Sequence, residues 1–159
     1  MEETTKNQLN SQRQAQVPRT HSSVKIEVRT PTSQEYIKLR EAVKWSKLDL
    51  KTIEQGLQNS IFSVCATYEQ EVIGCGRVIG DGAIYFYIQD IIVTPEFQKR
   101  GIGKFIMNEI MKYLNKNAAE NAFIGLMSAE GVMGFYEKYG FEERPSSRPG
   151  MFRTWHKRM

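Results

Sequence analysis

Residues 97–105, FQKRGIGKF, set two glycines two apart behind a glutamine and two cations, where an apolar strand-like run gives way to an apolar helix-like run. Glycine admits torsions and close approaches that a side chain forbids. A row of N–H groups flowing into a helix N-terminus is an anion site, reinforced by the positive end of the helix dipole. The stretch therefore calls for phosphate. It is not a Walker A loop, because Gln98 stands where that loop needs its first glycine and Lys104 is followed by Phe105. Nor is it a dinucleotide fingerprint, since position 106 is Ile and the other glycine-rich run, GCGRVIG, leads into a strand instead of a helix.

Other reactive side chains carry less. Cys65 and Cys75 lie in apolar stretches without metal-ligand spacing, so they read as buried reduced thiols and no metal is expected. An acyl-cysteine route through Cys75 would need an activating base nearby, and the sequence offers none. Its neighbours Gly74 and Gly76 read as relief for tight sheet packing or a bulge. His21 falls in a polar tail and His156 on a terminal strand, where it reads as a surface residue.

The elements that position the loop follow from composition and periodicity. A chain of 159 residues with 40% hydrophobic content suits one compact domain. Its charge of +4 and pI near 9.1 favour anionic ligands, yet acids interleave the cations, unlike a nucleic-acid-binding stripe. No apolar run approaches the roughly 18 residues of a membrane span, and no signal-peptide core precedes the domain. A cytoplasmic, soluble chain is expected, with no nucleic-acid or membrane partner and with a homodimer allowed.

Residues 1–23 are polar and almost free of large apolar side chains, and read as a flexible tail or leader before a single domain at 24–159. VKIEVRT alternates as a half-buried strand, and Thr32 with Glu35 forms a capping box that opens a helix. Asp49 caps a second helix; IFSVCATY and VIGCGRVIG form a hairpin about a short polar turn. AIYFYIQDIIVT reads as a central strand ended by Pro95. Ile102, Ile106, Ile110 and Leu114, with Phe105, Met107 and Met111 beside them, make a long amphipathic helix. A strand NAFIGLMS, a helix GVMGFYEKYG and two terminal strands, FEERP and MFRTWHK, complete the chain. The unit at 83–127 implies a parallel crossover beside antiparallel hairpins, hence a mixed sheet in an α/β chain of α+β type.

Gln98, Lys99, Arg100, Gly101, Ile102 and Gly103 fit Q-x-x-G-x-G between an apolar strand and an apolar helix, and FYEKYGF follows at Phe135–Phe141. On these two segments, residues 24–158 resemble the GNAT superfamily of acyl-CoA-dependent N-acetyltransferases. The resemblance implies the GNAT fold: a central, mixed, mostly antiparallel sheet with a splayed parallel strand pair and helices on both faces. It implies acetyl-CoA as co-substrate, with the pyrophosphate on the amides of Gln98–Gly103 and the phosphates also meeting Lys99, Arg100 and Lys104. The backbone of Ile91, Ile92 and Val93 would pair with the pantetheine arm, and an N–H near Val93 would face the thioester carbonyl. Tyr136, next to Phe135 at the coenzyme sulfur, would protonate the departing thiolate, with Tyr139 competing for that role.

Attack by a primary amine needs a base. Asp90 is the first candidate, its proton affinity raised if buried in so apolar a strand, unless it pairs with Arg77 instead. Glu130 is the second. Trp45, Tyr85, Tyr87, Met151 and Trp155 are candidates for the amine pocket, and Asp81 for attracting a cation. The expected activity is acetyl transfer to a primary amine of a small molecule by direct attack in a ternary complex. The alternatives are a protein amino group as acceptor and an acyl-CoA-binding module without turnover. An intact Tyr136 and a complete loop favour the enzyme over the module.

Overall fold

A computed structural model describes residues 23–155. Residues 1–22 of the expected tail, and His21 and His156 with them, lie outside the described residues. The chain divides into two compact units, one to Gly125 and one from Leu126.

The first unit is built on a sheet of order β1-β2-β3-β4-β5: Lys25–Glu27, Phe62–Tyr68, Glu71–Gly80, Tyr85–Val93 and Phe123–Leu126, the last ending at the boundary. Neighbours through β4 are antiparallel, and β4 and β5 run parallel, so the sheet is mixed as expected. Glu69 and Gln70, both at positive φ, close the β2–β3 hairpin with the twist that a tight turn requires. The Asp81 carboxylate shapes the next turn, its Oδ1 accepting from the N–H groups of Ala83, Ile84 and Tyr85. Through that oxygen it organises the loop.

Helices cover both faces. α1, Ser33–Ala42, starts at the capping box: Glu35 N–H donates to Thr32 Oγ1 at 3.2 Å and Thr32 N–H to Glu35 Oε2 at 2.7 Å. α2, Leu50–Gln58, starts at Asp49, which accepts from Thr52 N–H. Their residues Tyr36, Leu39, Ile53 and Leu57 pack with Cys75 and Ile92. α3, Ile102–Asn117, buries Ile102, Ile106, Met107, Ile110 and Leu114 on the opposite face, against the strip left by Gly74 and Gly76. A Cβ on Gly76 would come within 2.7 Å of both Ile106 and Ile91, which is why that strand carries glycine. Phe105, expected beside the stripe, is instead exposed.

The second unit carries α4, Met133–Glu137, half the length the sequence suggests. Gly140, at φ +83°, stops it, with its N–H donated to Glu137 and that of Phe141 to Tyr136. The two terminal strands expected after it are not formed among the described residues. Pro145 and Pro149 remove ladder donors there, and Arg148 N–H turns back onto Pro145 O at 2.8 Å. Among the described residues no helix is long and apolar enough to cross a membrane.

Candidate active site

The loop between β4 and α3 begins with a 3-10 turn at Pro95–Phe97 and enters the helix through Gly101. Lys99 and Gly101 have φ of +60° and +81°, a backbone that turns N–H groups towards one side. The first turn of a helix has N–H groups with no intrahelical acceptor, and Gly101 brings no side chain to cap them. Gln98 does not point into this opening: its Nε2 donates to Val93 O at 2.9 Å and ties the loop to the end of β4. Arg100 lies over the Phe97 ring, 5.2 Å from its centroid, and Lys99, Arg100 and Lys104 are all exposed. The loop thus joins exposed cations to an uncapped helix start, an arrangement suited to a pyrophosphate.

On β4, Ile92 is buried, and Ile91 and Val93 are half-buried. Asp90 just before them is buried, and it pairs with Arg77, whose Nε donates to Oδ2 at 2.7 Å. Tyr36 Oη donates to the same oxygen at 2.8 Å. The sequence points to Arg77 as a partner but not to Tyr36. The only trace of Tyr36 is its helical spacing to Leu39 and Arg40, which a core tyrosine shares. Burial, then the Asp90 charge, pushes the Tyr36 hydroxyl up to about 12. Cys75 is fully buried, which closes its thiol to a substrate and holds it well above the usual range. Among the described residues no cluster of three or more His, Cys, Asp or Glu side chains could hold a metal.

Within the second unit, Tyr136 and Tyr139 both meet Phe135 edge-on, at ring distances of 5.0 and 5.6 Å. Burial raises both hydroxyls above the ordinary tyrosine value, so each stays protonated at neutral pH. Glu130 sits in an exposed turn before α4. Trp45, Tyr85, Met151 and Trp155 are exposed and Tyr87 is half-buried.

Residues 59–143 match the family model described as an acetyltransferase (GNAT) domain. An uncharacterised N-acetyltransferase, ycf52, of Porphyra purpurea is 31% identical over 124 residues, 76% of this chain and 69% of the relative. A chloroplastic GCN5-related N-acetyltransferase of Arabidopsis thaliana is 33% identical over 69% of this chain and 56% of its own length. Among solved structures, a probable acetyltransferase of unknown function from meticillin-resistant Staphylococcus aureus superposes with TM-score 0.79 at 33% identity, covering 84% of this chain and all of that one. An aminoglycoside N-acetyltransferase solved with CoA shares the fold at 21% identity, TM-score 0.61, over 90% of this chain and 99% of its own.

Proposed function

The chain belongs to the GNAT acetyltransferases, and we propose that within this family it moves an acetyl group from acetyl-CoA to a primary amine of a small molecule. Membership makes it an acetyl-CoA-dependent acyltransferase. The observation that carries the residue-level reading is the entry to α3: positive φ at Lys99 and Gly101, an uncapped helix start and exposed cations lie directly after β4. We take residues 24–159 as one functional domain, a reading supported by the family match, which runs from 59 to 143.

The Gln98 N–H is already donated to Pro95 O at 3.3 Å, so in this proposal the amides of Lys99–Gly103, with Ile102 at the first turn of the helix, hold the pyrophosphate, and Lys99, Arg100 and Lys104 meet the phosphates. The backbone of Ile91, Ile92 and Val93 pairs with the pantetheine arm. An N–H near Val93 stabilises the oxyanion, a contribution of about 3 kcal/mol for one such donor. Asp90 is paired with Arg77 and Tyr36, the alternative to its acting as base, so the amine gives up its proton to water and attacks the thioester carbonyl in a ternary complex. The carbon–sulfur bond breaks, and Tyr136, packed on Phe135, gives its proton to the thiolate.

The compartment we propose is the cytoplasm, on the strength of two free, buried thiols. Exposed Trp45 and Tyr85 favour an aryl or alkyl amine. The test of the substrate class is competition: with acetyl-CoA, a mixed panel of small amines and a lysine peptide should give acetylated small amine first. Preferential acetylation of the peptide would replace the small molecule by a protein amino group.

A further inference from the structure

At Asp90 the alternation of β4 breaks. Cys75 pairs with Ile92 but Arg77 with Gln89, so Gly76 of β3 faces both Asp90 and Ile91. The added residue, Asp90, has φ +54°. L residues rarely adopt that left-handed conformation, and bulges of this hand ordinarily use glycine.

What holds it is a set of three donors converging from two elements, α1 and β3. Arg77 Nε and Tyr36 Oη share Oδ2 at 2.7 and 2.8 Å, and Cys75 Sγ donates to the Asp90 main-chain oxygen at 3.4 Å. Arg77 is itself fixed, its Nη1 donating to Gly56 O and Ser60 Oγ at 2.9 and 2.8 Å. Its guanidinium lies 5.5 Å from the Tyr36 ring centroid, and Arg40 lies 5.6 Å from the same centroid while donating to Tyr36 Oη. One carboxylate thus gathers α1, β3 and β4, and through Arg77 also α2.

The anchored residue directly precedes Ile91–Val93, so a change in its backbone angles turns those N–H groups. Resting on the acetyl-transfer reading above, we propose that Tyr36 and Arg77 are positioning residues of the transfer, acting through Asp90 to hold the β4 bulge and aim the backbone of Ile91–Val93.

The test compares Tyr36→Phe and Arg77→Lys with the wild type, and Tyr36→Phe with Asp90→Asn singly and combined. Amide hydrogen exchange is followed by NMR, and kcat and KM for acetyl-CoA are measured alongside. Tyr36→Phe keeps the ring and is expected to speed exchange at Ile91–Val93 by about 10-fold while α3 is unchanged. It should lower kcat about 10-fold with KM within about 3-fold, and Arg77→Lys should show the same pattern in smaller measure. In the Asp90→Asn background the loss of the hydroxyl should add less than about 2-fold. Wild-type exchange and kcat in both single variants, or an equal loss of kcat with and without Asp90, would overturn the proposal. If the wild type acetylates no amine, the acetyl-transfer reading fails on its own, and exchange at Ile91–Val93 still decides whether this network holds the bulge.

Discussion

Arg77 Nε and Asp90 Oδ2 meet 2.7 Å apart with only 11% and 7% of their side chains exposed, joining β3 to β4. Removing one partner of such a pair leaves an uncompensated buried charge, which costs roughly 3–5 kcal/mol, whereas removing both can be nearly neutral. Arg77→Met should therefore lower stability in urea unfolding by that amount. The double variant Arg77→Met/Asp90→Asn should lose clearly less than the single one. Equal losses would show that Arg77 serves through packing and not through charge.

Two glycines should respond in opposite directions to the same change. Gly76→Ala would press a methyl group into Ile91, Ile106 and Ile110, the nearest atoms at 2.7 to 2.9 Å, and should cost about 1–3 kcal/mol. Gly56, inside α2, has nothing within 4 Å of an added Cβ, and Gly56→Ala should stabilise by about 0.5–1 kcal/mol. Thermal denaturation of the pair checks both signs.

The ion pair at the start of α1 makes stability depend on pH in a definite sense. The hydrogen bond from Arg29, at 2.8 Å, lowers Glu35 below its ordinary value of 4.5. A lowered acid contributes stability that is present above the unfolded value and lost as pH falls through the folded one. Glu35→Gln keeps the reach of the cap and removes the charge. The wild-type advantage, at most about 1 kcal/mol for so exposed a pair, should be present at neutral pH and shrink below 4.5. A gap that stays constant on acidification would contradict this.

Local rules make much of the fold legible in the residues themselves. The capping box of Thr32 and Glu35, the Asp49 cap and the apolar stripe of α3 appear as read, because each is decided within a few residues. The last two strands do not form among the described residues, because alternation in FEERP and MFRTWHK competes with Pro145, Pro149 and a dense run of charges. The glycine loop is legible for the same local reason as the caps. The surroundings of Asp90 are not, since Tyr36 lies 54 residues away in the chain and nothing in helical spacing distinguishes a tyrosine that donates to a carboxylate from one that only packs.

Tyr136 and Tyr139 share one aromatic neighbour, yet only Tyr136 is assigned the proton of the leaving group. Tyr136→Phe should lower kcat by about 10²–10⁴-fold with acetyl-CoA affinity within a few-fold, and Tyr139→Phe should change little. The reverse result would move the acid by one helical turn.

Acetyl transfer from acetyl-CoA to an amine is tested most directly by thiol release from acetyl-CoA across a panel of aryl, alkyl and polyamine acceptors, with products identified by mass spectrometry. The expected result is amine-dependent release of CoA thiol, with one acetylated amine formed per thiol, abolished by Gly101→Val because φ +81° suits no β-branched residue. Saturable acetyl-CoA binding with no amine-dependent thiol release on any acceptor would contradict it, and would leave a chain that holds the coenzyme without using it.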